Sequence, residues 1–338
     1  MRKVVFAGCG GITKAWMNAV QDFDDVTVVG LCDLDLPKTK AFSEQWNLPS
    51  AIRGNDLEKV IKDTGADTVF DCTVPSAHKS VTLAALSSGC DVLGEKPMAE
   101  SLSDAKQMVH MAAETGKTYA VIQNRRYNPD IIRYQKALRQ SEIGAITALH
   151  ADFFLGAHFS GFRTQMDHVL LLDMAIHSFD EARFLSGCDP VAVTAFDWNP
   201  KGSWYRHGAN AVAIFEMTNG LVFSYRGSWC AEGLNTSWEC AWRATAEKGT
   251  VTWDGFREVT GEFVADDEGF IRKTHSIELG DAEHIEHHSH AGVIREFLDS
   301  LETGTTPQTH CTDNIKSVAM VLAAIRSAEK GKRIEISV

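Results

Sequence analysis

The chain has 338 residues, which at about 150 residues per domain favours two domains, each long enough for its own core. Hydrophobic residues make up 44% and charged residues 23%, the profile of a folded globular chain and not of a disordered one. The 33 Lys and Arg against 45 Asp and Glu give a net charge of −12, which opposes binding to phosphate backbones and anionic lipid. We therefore predict neither a nucleic-acid nor a membrane partner.

The cysteines and the N-terminal residues indicate the cellular compartment of the protein. The eight cysteines are scattered without a C-x-x-C pair, which favours reduced thiols over a disulfide framework or a zinc site. The apolar stretch from Val4 to Ala7 is shorter than the roughly 7–15 residues of a signal core, so we interpret it as a strand. No apolar run approaches the roughly 18 residues of a membrane span. We expect a cytoplasmic protein.

The first third of the chain alternates short β-branched runs with helical patterns. The predicted strands cover 3–8, 26–32, 68–72, 91–94 and 118–122, and the predicted helices cover 12–21, 37–46, 57–63, 78–88 and 102–115. This alternation predicts a doubly wound parallel sheet with right-handed crossovers over residues 1–123. Ser101 with Asp104 three residues later predicts a capped start of the last helix, and Gly116 predicts its end.

From Asn124 onward, strand patterns follow one another without intervening helices, which implies an antiparallel or mixed sheet. The predicted strands cover 146–154, 191–197, 209–216, 221–228, 237–246, 250–253 and 332–336, and the predicted helices cover 130–139, 167–185, 292–301 and 313–329. We therefore predict an α/β chain with a second, α+β domain over residues 124–338, built on an open and mainly antiparallel sheet.

Gly8, Gly10 and Gly11 lie in a turn between the first strand and the helix that begins at Ile12. In this context backbone N–H groups and a helix N-terminus approach a pyrophosphate, and a Cβ would block the anion. Thr13 replaces the third glycine of the G-x-G-x-x-G pattern, so the match is partial. The alternative is a tight strand-to-helix turn that binds no ligand.

Asp33 ends the second predicted strand, where a ribose-binding acid belongs in a dinucleotide site. Its carboxylate would accept hydrogen bonds from an adenosine ribose and repel a 2′-phosphate, which favours NAD over NADP. The alternative is an aspartate that starts the turn over residues 33–37, and Lys38 nearby leaves room for NADP.

Gly94-Glu95-Lys96-Pro97 follows the strand predicted over 91–94. The residue before a proline is held in extended geometry, so Lys96 should project toward the crevice at the carboxyl ends of the strands. The Lys96–Pro97 bond is a candidate for the cis form. An amine there would stabilise a developing alkoxide, whereas the alternative is a surface lysine in a loop.

The helix predicted over 167–185 is apolar around most of its circumference, so it should be buried. At about 100° per residue, Asp173, His177 and Asp180 share one narrow stripe, which must be paired internally or line a cavity. An imidazole with neighbouring carboxylates can accept and donate a proton near neutral pH. A satisfied His–Asp pair in the core is the alternative.

Together these features resemble the Gfo/Idh/MocA family, named for glucose-fructose oxidoreductase and inositol dehydrogenase. The resemblance extends over essentially the whole chain and comprises the glycine turn, the DCTVPSAH segment at 71–78, Glu95-Lys96-Pro97, NRRYNP at 124–129, the D-x-x-x-H pair at 173–177 and the closing stretch 297–307. Two features depart from the family pattern: Thr13, and residues 166–169 (MDHV) in place of a Gly-Gly pair.

The resemblance implies a Rossmann domain followed by an open-sheet domain that supplies the substrate site and much of the contact in a homodimer or homotetramer. It identifies Lys96 as the catalytic lysine, Asp173 as the substrate-side acid and His177 as the proton-transferring histidine. The expected cofactor contacts are Gly8, Gly10, Gly11, Ile12, Asp33, Thr73, Pro75, His78, Glu95 and Lys96. The expected substrate contacts are Lys96, Asn124, Arg125, Arg163, Asp173 and His177.

The implied activity is hydride transfer between NAD(P) and a secondary hydroxyl of a sugar, inositol or related polyol. In this hypothesis His177 takes the hydroxyl proton, Lys96 stabilises the alkoxide, and Asp173 orients His177 or binds a neighbouring hydroxyl. Two alternatives keep the fold: a redox-neutral, NAD-assisted lyase or glycosidase, and a non-catalytic nucleotide sensor. A sensor needs no proton-transfer set, so Lys96, Asp173 and His177 together argue against it.

Three further patterns leave their interpretation open. His284, His287, His288 and His290 have metal-ligand spacing, but we interpret them as a solvated segment and predict no metal. Arg125, Arg126 and Arg163 could bind an anionic substrate or form structural pairs. Six of the eight tryptophans lie in the second half of the chain, where they could stack on a sugar or fill the core and a subunit contact.

Overall fold

The computed structural model describes residues 1–266, 268–280 and 284–338. These residues form two compact units, the first made of 1–124 with 286–318 and the second of 125–285 with 319–338. The first boundary lies next to the predicted division after residue 123, but residues 286–318 group with the N-terminal part. Two contacts explain this grouping: Arg295 pairs with Asp25, and the Val121 N–H donates to the Thr309 carbonyl.

The first unit is built on a parallel sheet in which the described residues form six strands, in the order β3-β2-β1-β4-β5-β6. The strands are β1 (Arg2–Ala7), β2 (Val26–Cys32), β3 (Ile52–Gly54), β4 (Thr68–Asp71), β5 (Asp91–Gly94) and β6 (Tyr119–Val121). The predicted parallel sheet is thus confirmed, but the sequence pattern missed β3, so Thr68–Asp71 is the fourth strand.

The helices of the first unit cover the sheet. They are α1 (Thr13–Val20), α2 (Leu36–Gln45), α3 (Leu57–Thr64), α4 (Pro75–Ser87), α5 (Leu102–Thr115) and, from the later segment, α8 (Ser289–Thr303). The predicted bounds of α5 are confirmed, because the Ser101 hydroxyl accepts from the Asp104 N–H and Gly116 ends the helix at φ 65°. α4 begins three residues before its predicted start, with Pro75 in its first turn.

The second unit is built on a mixed sheet, for which the described residues give the order β14-β13-β12-β11-β7-β10-β9-β8-β15. The strands are β7 (Ile146–Phe154), β8 (Pro190–Trp198), β9 (Asn210–Met217), β10 (Val222–Ser228), β11 (Ala241–Ala246), β12 (Gly249–Trp253), β13 (Val259–Val264), β14 (Thr274–Ser276) and β15 (Ile334–Glu335). The described strands pair antiparallel except β7 with β10, so the predicted, mainly antiparallel sheet is confirmed. The sequence pattern missed β13 and β14.

The helices α6 (Pro129–Leu138) and α7 (Ile176–Ser186) belong to the second unit, and the unit boundary falls within α9 (Cys311–Lys330). No helix within the described ranges has both the length and the apolar character needed to span a bilayer.

The segment before α7 differs from the predicted single α-helix over 167–185. Residues Leu170–Ala175 form a π-helical turn, and His168 has a φ of 50° and lies outside the helix. The N–H groups of Val169 and Leu170 donate to the carbonyls of His207 and Gly208. These bonds satisfy N–H groups that have no partner inside a helix, so they anchor its start to the chain entering β9.

Candidate cofactor and substrate sites

The glycine turn has the geometry of an anion cradle. Gly8 has a φ of +89°, and a Cβ on it would lie 2.6 Å from the Cys72 carbonyl oxygen, so only glycine fits. A Cβ on Gly10 or Gly11 would meet no atom within 4 Å, so open space faces these two residues at the start of α1. The turn therefore leaves room for a ligand beside a helix N-terminus, as a pyrophosphate requires.

Thr13 fits the place of the missing third glycine. Its side chain is buried, and its hydroxyl donates a 2.9 Å bond to the Gly8 carbonyl. The threonine therefore ties the first turn of α1 back to the glycine turn. Ile12 directly precedes α1 and has an exposed side chain.

Asp33 supports the same turn from the end of β2. Its Oδ2 accepts the Cys9 N–H at 2.8 Å, and its Oδ1 accepts the Asp35 N–H at 2.9 Å. The aspartate therefore has the turn-forming role that the sequence left open. A carboxylate has about four acceptor positions, so ribose hydroxyls could bind to the remaining ones.

Thr73 and His78 stabilise the segment after β4. The fully buried Asp71 accepts from both the backbone N–H and the hydroxyl of Thr73, and burial raises the pKa of this carboxyl. The ring nitrogens of His78 lie 2.8 Å from the Pro97 carbonyl oxygen and 3.1 Å from that of Thr73. Because His78 is 1% exposed, it positions these two segments and presents almost no surface to a ligand.

Lys96 follows β5 and is half-buried, and its bond to Pro97 is cis. The preceding Glu95 is buried, and its Oε1 accepts from the Trp16 indole at 2.7 Å while its Oε2 accepts the Lys96 N–H at 3.2 Å. These bonds connect α1 to the backbone of Lys96. Glu95 is therefore placed to position this lysine.

His290 is a residue near Lys96 that sequence reasoning missed, because from sequence alone we interpret the histidines between 284 and 290 as a solvated segment. Burial lowers the pKa of His290, Glu95 opposes this shift, and the charge of Lys96 adds to it. Beside it in the first turn of α8, the Ser289 hydroxyl accepts a 3.1 Å bond from the Asn124 amide. The Asn124 amide therefore has a partner within the protein. Asn124 and Ser289 are 165 positions apart, so no local sequence pattern could have indicated this contact.

In the second unit, Asp173 lies in the π-helical turn and pairs with Arg163. The Arg163 Nε donates to Oδ2 at 2.5 Å, and Nη2 lies 3.5 Å from Oδ1. The guanidinium carbon also lies 4.9 Å from the ring centroid of Phe159 and 4.8 Å from that of Phe162. Asp173 is therefore a buried acid with a cationic neighbour, and His177 follows it, half-buried, in the first turn of α7.

The other two candidate arginines are structural. Arg126 makes two bonds, of 2.7 and 2.6 Å, to the buried Asp180. The Arg125 side chain is 9% exposed and lies 3.7 Å from Glu181 and 3.6 Å from Glu239. Burial raises the pKa of Glu181 well above its ordinary value, and Arg125 partly opposes the shift. Arg125 therefore compensates the buried Glu181 and the half-buried Glu239, which does not favour its predicted contact with substrate.

An aromatic cluster lies around Phe159. Its ring centroid is 5.2 Å from that of Trp229 and 6.2 Å from that of Trp238, and Tyr205 stacks on Trp229 at 5.7 Å. Trp229 and Tyr205 are buried, whereas Trp238 is 44% exposed. Trp229 therefore fills the core, whereas Trp238 is the tryptophan of this cluster with an exposed side chain.

The four histidines between 284 and 290 do not form a metal-binding group among the described residues. The one such group in the described ranges is His168, Asp197 and His207, whose ligand atoms lie within 4.8 Å of one another. His168 Nδ1 lies 2.6 Å from Asp197, and His207 Nδ1 accepts the His168 N–H at 3.2 Å. These hydrogen bonds hold the three residues of the cluster together. The Asp197 carboxylate raises the pKa of His168.

All eight cysteines are free thiols. Two of them lie at the glycine turn and the end of β2, where burial raises the pKa of Cys9 to about 12 and that of Cys32 to about 11. Thiols with such pKa values stay protonated near neutral pH, and a protonated thiol is a poor nucleophile. The glycine turn is therefore not a thiolate site.

Comparisons with known proteins agree with this geometry. Residues 2–123 match the model of an oxidoreductase family with an NAD-binding Rossmann fold, and residues 131–252 match the GFO/IDH/MocA C-terminal domain. The chain is 27% identical to a D-apiose dehydrogenase from Rhizobium rhizogenes over 99% of this chain and 97% of that protein. It is 22% identical to an inositol 2-dehydrogenase from Rhizobium meliloti over 98% of each protein.

A solved structure shares the fold over the whole chain. It is an oxidoreductase from Agrobacterium radiobacter in complex with NAD+, L-tartaric acid and magnesium, with a TM-score of 0.86, 22% identity and coverage of 99% of this chain and 98% of that one. Both halves of the sequence match models of one family, over residues 2–123 and 131–252. The chain therefore belongs to the Gfo/Idh/MocA family of NAD-binding oxidoreductases.

Proposed function

We propose that this protein is an NAD-dependent dehydrogenase that oxidises a secondary hydroxyl of a sugar, inositol or related polyol, or reduces the corresponding carbonyl. Family membership supports the redox chemistry, and the relatives that act on D-apiose and inositol support the substrate class. In this proposal residues 1–123 bind the dinucleotide, and residues 124–338 supply the substrate site.

One observation carries the cofactor part of the proposal: Gly8 admits no Cβ, whereas Gly10 and Gly11 face open space at the start of α1. Backbone N–H groups there would hold the pyrophosphate, and Asp33 would hold the adenosine ribose. When bound, NAD would supply the acceptor for the hydride. The segments that border this cofactor site would be positioned by Thr73, Pro75, His78 and Glu95.

The chemical steps are assigned to Lys96, Asp173 and His177. His177 would take the proton of the substrate hydroxyl, and the Lys96 ammonium would stabilise the alkoxide that forms. Asp173 would bind a neighbouring hydroxyl or orient His177. Its pairing with Arg163 at 2.5 Å supports the first of these roles, because an ionised carboxylate held in place by an arginine can accept a hydrogen bond from a substrate hydroxyl.

The test is NAD reduction with a panel of aldoses, inositols and sugar acids, using Lys96→Ala and His177→Ala. Each variant should lose at least about 100-fold in kcat, the range of general acid–base and electrostatic contributions. Matched controls are Lys40→Ala and His110→Ala, whose side chains are 67% and 73% exposed. Full turnover by both active-site variants would refute the assignment.

The same panel separates the alternatives. Product formed without accumulation of NADH would indicate a redox-neutral lyase or glycosidase. NAD binding without conversion of any member of the panel would favour a nucleotide sensor. Net NADH formation that depends on both Lys96 and His177 would support the dehydrogenase.

We also propose a homodimer or homotetramer formed through the sheet of the second unit. The helices α6 and α7 pack on one face of this sheet. The other face carries exposed apolar side chains on β8 and β9, among them Phe196, Trp198 and Ile214. A patch of this kind favours a subunit contact. Phe196→Glu should shift the sedimentation coefficient to that of a monomer, whereas unchanged association would contradict this interface.

The free state of all eight cysteines supports a cytoplasmic location. Cell fractionation with an antibody to the chain tests this placement.

A further inference from the structure

We propose that the substrate carries a carboxylate and that Arg163 binds this carboxylate while it stays paired with Asp173. The inference rests on the proposed function, because it narrows the class from sugars and polyols to sugar acids and other hydroxy acids. Its basis is an arginine with one edge held by protein and the other edge open.

The guanidinium of Arg163 uses only one edge on the protein. Nε and Nη2 face the Asp173 carboxylate at 2.5 and 3.5 Å, and Nη1 donates no hydrogen bond to any of the described residues. The Arg163 side chain is 29% exposed, and Nη1 is not one of the buried side-chain nitrogens that lack a partner, so this end of the guanidinium is accessible. This end presents a planar pair of donors, the geometry that matches a carboxylate.

Two aromatic rings hold the guanidinium in place before any ligand binds. Phe159 and Phe162 lie 4.9 and 4.8 Å from its central carbon. Contacts of this kind and the bond to Asp173 restrict a side chain that otherwise loses considerable entropy when a ligand immobilises it. The arginine is therefore preorganised, with its free donors on the accessible side.

The other arginines of the site region lack this property. Arg126 directs two bonds into buried Asp180, and Arg125 lies between Glu181 and Glu239 with a nearly buried side chain. Neither can offer a free edge to a ligand. Of the three arginines that the sequence identified as anion-binding candidates, Arg163 alone retains one.

The charges also favour an anionic substrate. Asp173 alone would repel a substrate carboxylate, but its pair with Arg163 is neutral as a whole. A carboxylate on the outer edge would place the guanidinium between two anions. The exposed ring of Trp238, next to Phe159, could cover a C–H face of the same substrate.

The test compares acid and neutral partners of equal length: D-glucuronate with D-glucose, D-gluconate with D-sorbitol, and galactarate with galactitol. Turnover is followed as NAD reduction, and binding is measured separately by titration calorimetry on the complex with NADH. For the pair of compounds that the enzyme uses best, we expect the kcat/KM of the wild type to be at least about tenfold higher with the acid than with its neutral partner. This factor corresponds to the free energy of one charge-assisted hydrogen bond.

The diagnostic variants are Arg163→Lys and Arg163→Gln. Lysine keeps the charge beside Asp173 but lacks the planar fork, so it should raise KM for the acid about tenfold while KM for the neutral partner stays within about twofold. Glutamine should remove the remaining preference. The matched control is Arg206→Gln, whose side chain is 61% exposed and should leave the preference unchanged.

The outcomes separate this inference from the proposed function. Acid binding that requires Arg163, without NAD reduction, would support the carboxylate site and refute the dehydrogenase. Reduction of NAD by neutral partners, with no preference for acids and equal effects of Arg163→Lys on both, would refute the carboxylate site and leave the dehydrogenase intact. Failure of every acid to bind and of every compound to react would refute both.

Discussion

The indole Nε1 of Trp16 donates a 2.7 Å hydrogen bond to Oε1 of Glu95, and through this bond α1 is connected to the residue that precedes Lys96. Both side chains are buried, so neither can exchange this partner for water. The start of the helix at the glycine turn and the end of β5 are thereby held together within the first unit. Two sequence motifs that are some 80 residues apart thus share one buried contact.

This contact predicts an asymmetry between two substitutions. Trp16→Phe would leave a buried carboxylate oxygen without its donor and should lower the free energy of unfolding by about 1–3 kcal/mol. Glu95→Gln keeps an acceptor oxygen for the indole and loses only the longer, 3.2 Å bond from the Lys96 N–H, so it should cost less. Urea unfolding of both variants measures the difference, and equal losses would contradict it.

Gly8→Ala should abolish NAD binding and destabilise the protein more than Gly89→Ala. Both glycines have a positive φ, of 89° and 83°, so alanine costs about 1–2 kcal/mol at either position. A Cβ meets the Cys72 carbonyl at 2.6 Å only at Gly8, because none of the described atoms lies within 4 Å at Gly89. Thermal unfolding with and without NAD separates the two effects. Equal melting temperatures of the two variants would contradict the cradle geometry.

Asp33→Ser should raise KM for NAD about tenfold and increase the ratio of NADP to NAD use. The change removes the negative charge that repels a 2′-phosphate and an acceptor for the ribose hydroxyls. It also removes the acceptor of the Cys9 N–H, so some loss of affinity for both cofactors is expected. The control is Asp35→Ser, whose side chain is 50% exposed and pairs only with Lys38 among the described residues. An unchanged cofactor ratio in Asp33→Ser would refute the ribose role.

The pair of Asp25 with Arg295 should make stability depend on acidic pH. Two 2.8 Å bonds from Arg295 lower the pKa of Asp25 below its ordinary 3.8. The stability from a depressed carboxyl pKa is present above the unfolded value and is lost as pH falls through the folded one. Asp25→Asn should therefore cost about 1 kcal/mol at pH 7 and nearly nothing below the folded pKa. Urea unfolding between pH 3 and 7, with exposed Asp24→Asn as control, measures this.

Local sequence patterns were sufficient for elements with a strong periodic or capping signal. The glycine turn and the capped helix α5 are each indicated by residues within a few positions of one another, and Asp33 is indicated by its place at the end of β2. β3 has only three residues, none of them buried, and therefore lacks an apolar pattern. β13 was missed although its residues alternate in burial, because Thr, Gly and Glu in it weaken the alternation of hydrophobic side chains.

The partners of the arginines could not be predicted from local sequence. Arg126 and Asp180 are 54 positions apart in the sequence, so no local pattern connects them. The π-helical turn could not be predicted either. A helix that is apolar around most of its circumference has too few polar positions to distinguish π-helical from α-helical periodicity. The carboxylate stripe was accordingly predicted on an α-helix, whereas Asp180 is paired by Arg126 and Asp173 by Arg163.

The wide turn over Leu170–Ala175 also limits how this helix can be redesigned. A π-helical turn accommodates a residue more than an α-helix would need for the same rise. Deleting one residue between 170 and 172 would let the backbone close with ordinary α-helical pitch, and the residues on its N-terminal side would keep their orientation relative to His177. A deletion within the regular α-helix that follows would instead rotate the residues on its two sides by about 100° relative to each other. Changes of length in this segment are therefore tolerated in the wide turn and not beyond it.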